Sequence, residues 1–146
     1  AMPQLRPIRI KSESLGVLRP DCELLVSPEH RMLIKGPLAL ALFNTPEVLV
    51  PASELVNGKD VFIDHALKEV TYIHVLLPHH EVVWANNVET ESFHPASASL
   101  TALDDADRDR LLHWMPQIGQ DPNYYGDYAR RNLTTAEAAI LGHEAA

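Results

Sequence analysis

The sequence predicts a mainly β domain that ends in two short helices. Three observations predict it. Apolar and charged residues alternate along Ile8-Arg9-Ile10-Lys11, runs dense in Val, Thr, Tyr and Ile fill residues 69–88, and after Phe93 the apolar period lengthens from two to that of a helix. With 146 residues, 46% of them hydrophobic, the chain can bury a core without disulfide or metal staples.

The elements follow in order. Ile8 and Ile10 form the apolar face of a first strand. Cys22 to Val26 and Arg31 to Ile34 are expected to be the arms of a hairpin around Ser27-Pro28-Glu29-His30, with Cys22 an inert buried thiol in the first arm. Pro37 to Asn44 fits either a buried strand or a short helix. Glu47-Val48-Leu49-Val50-Pro51 reads as a strand whose proline marks an edge or an end. Asn57-Gly58 turns the chain into Val61-Phe62-Ile63. Glu69 to Leu77 and His80 to Val88 are expected to pair, and Asn86-Asn87 can take the positive φ of a turn.

His94 to Ser99 reads as a linker. A helix then starts near Thr101 or Asp104, carries Leu103, Ala106, Leu111, Leu112 and Met115, and stops at Pro116. Residues 117–131 are expected to form a polar loop that lays Tyr124, Tyr125 and Tyr128 against the sheet. Thr134-Thr135-Ala136-Glu137 is a capping box that opens a last helix through Ala139, Ile140 and Leu141. The expected division is a β domain over residues 1–95 and a helical extension packed on it over residues 96–146.

Composition narrows the chemistry. A net charge of −8, with scattered basic residues, argues against a nucleic-acid partner. Cys22 is the single cysteine, which excludes a disulfide within the chain and a cysteine-rich zinc site. No apolar run reaches the roughly 18–20 residues that span a membrane, and the first seven residues show no signal-peptide core, which leaves the compartment open.

The stretch that bears chemistry is Ser27-Pro28-Glu29-His30. A hydroxyl and an imidazole three residues apart, stiffened by proline, can be aimed at one carbonyl and its departing nitrogen. The same residues also make an ordinary serine-anchored turn. His74, His79 and His80 form a second imidazole group. Together with His30, His74 and His80 could offer zinc three imidazoles, although nothing in the spacing demands a metal. No metal or other cofactor is expected.

These residues also carry a resemblance. Val26-Ser27-Pro28-Glu29-His30-Arg31, then Val48-Leu49-Val50-Pro51-Ala52 and Leu55-Val56-Asn57-Gly58, resemble the central part of a Hint domain, the self-processing module of hedgehog proteins and inteins. Val70 to Val75, His80 to Val88 and Glu91-Ser92-Phe93 look like its closing hairpin, and the nearest likeness is to the bacterial hedgehog/intein-like group. The resemblance implies a pseudo-symmetric β horseshoe, here without its N-terminal nucleophile block. It also implies an intramolecular N–S or N–O acyl shift followed by cleavage at the domain's own N-terminal junction.

In that family a Thr-x-x-His motif assists the shift, and Ser27 and His30 match it with serine in place of threonine. His80 is similar to a histidine of the family's closing hairpin, and His74 is a looser match. Nothing here resembles the opening nucleophile block, and Glu91-Ser92-Phe93 stands where an intein ends in His-Asn. The resemblance therefore implies N-terminal cleavage or transfer at most, with this chain inactive by itself. Its partner would be the N-terminal segment of its own parent protein, in the same chain or complementing it. The alternative is a degenerate Hint-like module kept for binding or structure without catalysis. Strand edges bared by a missing first block predict self-association.

Overall fold

The computed structural model describes residues 6–96 and 103–145, with side chains through residue 142. It is mainly β. Among the described residues, eight strands form two sheets, accompanied by three short α-helices: α1 (Pro37–Phe43), α2 (Asp105–Trp114) and α3 (Thr135–Ala145). The chain divides into two compact units, one of residues 1–73, 82–91 and 130–146 and the other of residues 74–81 and 92–129.

In the first unit, β1 (Ile8–Ile10) is the centre of an antiparallel three-stranded sheet between β2 (Leu24–Val26) and β5 (Val61–Ile63). The second sheet has five strands in the order β6 (Val82–Ala85), β7 (Val88–Glu91), β3 (Arg31–Lys35), β4 (Glu47–Pro51) and β8 (Arg131–Asn132). Ile8, Ile10, Val26 and Val61 of the first sheet join Met32 and Val88 of the second in one apolar cluster. Each β-branched side chain fully removed from water there contributes roughly 1.5–3 kcal/mol. A second cluster sets Val48 and Val50 of β4 against Phe43 of α1 and Ala138 and Leu141 of α3.

Several expectations are met. Asp104 caps α2 by accepting from the Asp107 N–H at 2.8 Å, and the helix ends before Pro116. Asn86 and Asn87 both take positive φ at the β6–β7 turn, whose twist suits a tight hairpin. Pro51 sits at the end of β4, and Pro37 to Phe43 is the helix rather than the strand. The capping box of α3 is complete. Thr134 Oγ1 accepts from the Glu137 N–H at 3.2 Å, and Glu137 Oε1 accepts from the Thr134 N–H at 3.0 Å. Thr134→Ala should cost about 1 kcal/mol in urea unfolding, and Thr134→Ser should cost only a few tenths.

Other expectations are corrected. β2 and β3 are not hairpin arms: β2 pairs with β1, whereas β3 pairs with β4 and β7, so Ser27 to His30 is a corner where the chain changes sheets. Cys22 lies outside the strand and is exposed. Residues 69–77 form no strand. Their β-forming side chains find no ladder, because β7 is already flanked by β6 and β3, and Ile73 is left 85% exposed.

His94, expected in a linker, is 1% exposed and belongs to the second unit's interior. Thr101 and residues 97–99 of that expected linker lie outside the described residues. In the same unit Phe93, Leu111, Ile118 and Tyr125 form an apolar cluster, so Tyr125 packs there rather than on a sheet, and Tyr124 is exposed.

Candidate functional site

The corner between β2 and β3 is held by backbone bonds on every side. The His30 N–H donates to Ser27 O at 3.1 Å, closing a β-turn whose second residue, Pro28, has its φ fixed by its ring. The 3₁₀ turn Ala52–Leu55 braces it from beneath. There the Ala52 N–H donates to His30 O at 2.8 Å and the Ser53 N–H to Pro28 O at 2.9 Å. Ser27 and His30 are thus brought together on one rigid corner, both half-buried. Among the described residues no hydrogen bond engages the Ser27 hydroxyl.

The imidazole of His30 is held from β7. Its Nε2 lies 2.6 Å from Thr90 Oγ1, and the Thr90 hydroxyl donates to Arg31 O at 2.8 Å. Beside it, the Arg31 N–H donates to Glu91 Oε1 at 2.9 Å. Met32 and Thr90 form the pair that registers β3 on β7. One residue earlier, side chains of β7 occupy both polar groups of the Arg31 backbone, in place of a main-chain ladder. Thr90 and Glu91 were not singled out from sequence. The signal that could have found them is the polar run Glu89-Thr90-Glu91-Ser92 between Val88 and Phe93, all of it buried.

Glu89 carries the charge balance of that strand. Lys35 Nζ lies 2.7 Å from Oε1, and the Arg19 guanidinium 2.5 Å from Oε2. Burial pushes its carboxyl up, but the Lys35 and Arg19 bonds outweigh it and hold the group below the ordinary range. The folded-state value is the depressed one. Glu89 therefore stabilises the fold above the unfolded glutamate value of about 4.3, and that share is lost as pH falls through the folded value. Glu89→Gln should lower the urea midpoint at neutral pH, with the gap to wild type closing toward about pH 3.

His74 and His80 belong to the second unit. His80 is buried, and its Nδ1 accepts from the Ala129 N–H at 2.9 Å. Its ring lies edge-on to those of His94 and Tyr128, each at 5.3 Å. His94 in turn engages Gly126 O through Nε2 at 2.8 Å, accepts from the Ala96 N–H through Nδ1 at 3.1 Å, and stacks on Tyr128 at 4.1 Å. His74 is exposed, its ring tilted against that of Phe93 at 4.9 Å. No group of three or more His, Cys, Asp or Glu among the described residues could hold a metal ion, so the three-imidazole zinc site is not formed there. No described helix is long and apolar enough to cross a membrane.

Cys22 is poorly equipped to attack a carbonyl. Its Sγ donates to Asp21 Oδ1 at 3.4 Å, and that bond, with the aspartate's negative charge, raises the thiol above its ordinary value and keeps it protonated.

Fold and site together define a mainly β module that presents a serine and a histidine on a braced corner between two sheets. The chain belongs to the Hint domain family, whose family model matches residues 1–97. That span contains β1 to β7 and all of Ser27, His30, His74, His80 and Thr90. Comparison with curated proteins and with solved structures gives no match.

Proposed function

We propose that this chain supplies the proton-transfer and orienting half of a self-processing site, and that the attacking group comes from a cysteine- or serine-bearing segment upstream in a longer parent. In that reaction the upstream Sγ or Oγ attacks the carbonyl carbon before it and the C–N bond breaks. His30 accepts the nucleophile's proton and delivers it to the departing nitrogen, leaving a thioester or ester and a free amine. Ser27 holds the carbonyl side, and water then hydrolyses the thioester or ester. His80 and His74 enter this reading as further candidates through residue type alone.

The observation that carries it is the braced Ser27–His30 corner with His30 anchored on Thr90. Proton transfer alone contributes only about 10²–10⁴ in rate, so residues 1–146 by themselves should process nothing. Joined in cis to an upstream cysteine-bearing segment, the chain should release a fragment visible on denaturing gels, faster with added thiol. A parent that stays uncut defeats the reading.

A second reading, a remnant used for binding, is favoured by the protonated, aspartate-paired state of Cys22, which leaves this chain without a poised thiol. On that reading His30→Ala would behave like any other turn substitution. The open edges of β2, β5 and β6 are where self-association would occur.

A further inference from the structure

We propose that Thr90 is a positioning residue that fixes which ring nitrogen of His30 carries the proton, so that Nδ1 is the nitrogen that exchanges protons with substrate. Its consequence for cleavage rests on the self-processing reading; the tautomer itself does not.

The argument is a count of hydrogens. The Thr90 hydroxyl has one to give and lies close to two partners, Arg31 O at 2.8 Å and His30 Nε2 at 2.6 Å. Arg31 O can only accept, so the hydroxyl hydrogen goes there. If His30 Nε2 were also a bare acceptor, its lone pair would face the hydroxyl oxygen's lone pairs at 2.6 Å with no hydrogen between them. The arrangement closes only when Nε2–H donates to Thr90 Oγ1 and Oγ1 donates to Arg31 O. In the neutral ring the lone pair is then on Nδ1.

Nothing else on the page gives the hydroxyl a competing use. Met32 Sδ lies 3.5 Å from Thr90 Oγ1 and is a weak acceptor. Thr90 is itself 4% exposed, so water does not substitute readily for its oxygen. Its χ1 is restricted by β-branching, and its strand is locked to β3 by the Met32–Thr90 pair. A wrong tautomer would offer an N–H where the nucleophile's proton has to be received, so the hydroxyl selects the productive ring state before substrate arrives.

The test needs no activity. In the intact 146-residue chain, labelled with ¹⁵N-histidine and kept above the ordinary imidazole pKa of about 6.5, His30 should show an unprotonated Nδ1 and a protonated Nε2. His30→Gln assigns its signals. Thr90→Val, which keeps the shape and removes the hydroxyl, should move both nitrogen shifts toward a mixed tautomer, and Thr90→Ser should restore them. A wild-type ring protonated at Nδ1 overturns the proposal even if Thr90→Val fails to fold. So do unchanged shifts in a folded Thr90→Val protein.

In the cis-joined parent, Thr90→Val should slow cleavage about tenfold or more, less than loss of His30 itself, with Thr90→Ser recovering most of the rate. Equal rates for Thr90→Val and wild type overturn the kinetic consequence. A wild-type parent that does not cut counts against self-processing, and the nitrogen shifts still decide the role of Thr90.

Discussion

Replacing His30 by alanine should slow cleavage of the cis-joined parent chain by about 10²–10⁴-fold. The imidazole is the group on the Ser27 corner able to both take and give a proton near neutral pH. The corner that carries it should survive the change. The bonds that shape the turn are main-chain bonds: His30 N–H to Ser27 O, Ala52 N–H to His30 O and Ser53 N–H to Pro28 O. His30 is half-buried, so truncation leaves Thr90 Oγ1 short of one donor without hollowing out either apolar cluster of the first unit. Time courses on denaturing gels, read beside circular dichroism, separate lost chemistry from lost fold. A cleavage rate within threefold of wild type (roughly 0.6 kcal/mol in the barrier) would remove His30 from the reaction.

His94→Ala should be the most damaging single change in the second unit, at about 3–5 kcal/mol. The ring is 1% exposed and stacks on Tyr128 at 4.1 Å. Its two nitrogens serve Gly126 O and the Ala96 N–H, which would both lose a partner inside the protein. Losing the buried ring removes packing, and each stranded polar group adds about 1–3 kcal/mol. The apolar cluster of Phe93, Leu111, Ile118 and Tyr125 is small and has little to offset this. Hydrogen exchange at Phe93 and Ala129, whose N–H groups bond to Val75 O and His80 Nδ1, should accelerate sharply. Unchanged protection there would show that the ring only fills space.

Much of the local structure was legible in the residues because its causes are local. Thr134 and Glu137 lie within one turn of each other, so the capping box follows from their chemistry. Asn86-Asn87 tolerates positive φ wherever it stands, and Asp104 caps whatever helix follows it. Ser27 and His30 were likewise readable, since a proline turn three residues long brings them together. Residues 69–77 show where such reasoning stops. Val70, Tyr72, Ile73 and Val75 favour an extended backbone, but a strand needs an open neighbour, and β7 has none to offer.

The buried polar groups lay further from view. Thr90 is sixty residues from His30, and whether a Glu-Thr-Glu-Ser run faces water or a backbone carbonyl is decided by which strand lies beside it. His94 read as a linker because His-Pro-Ala-Ser is polar and turn-prone. Its burial depends on Tyr125, Gly126 and Tyr128, brought up from some thirty residues away.

The sequence by itself determined a mainly β chain of the Hint type, its turns and helix caps, and the Ser27-Pro28-Glu29-His30 corner, because these depend on neighbours within a few residues. Only the tertiary structure decided that the corner joins two sheets rather than two hairpin arms, and that Thr90 and Glu91 hold His30 and Arg31. Such long-range pairings depend on which strand edges are left to pair and which buried donors still need acceptors, and both are properties of the assembled fold.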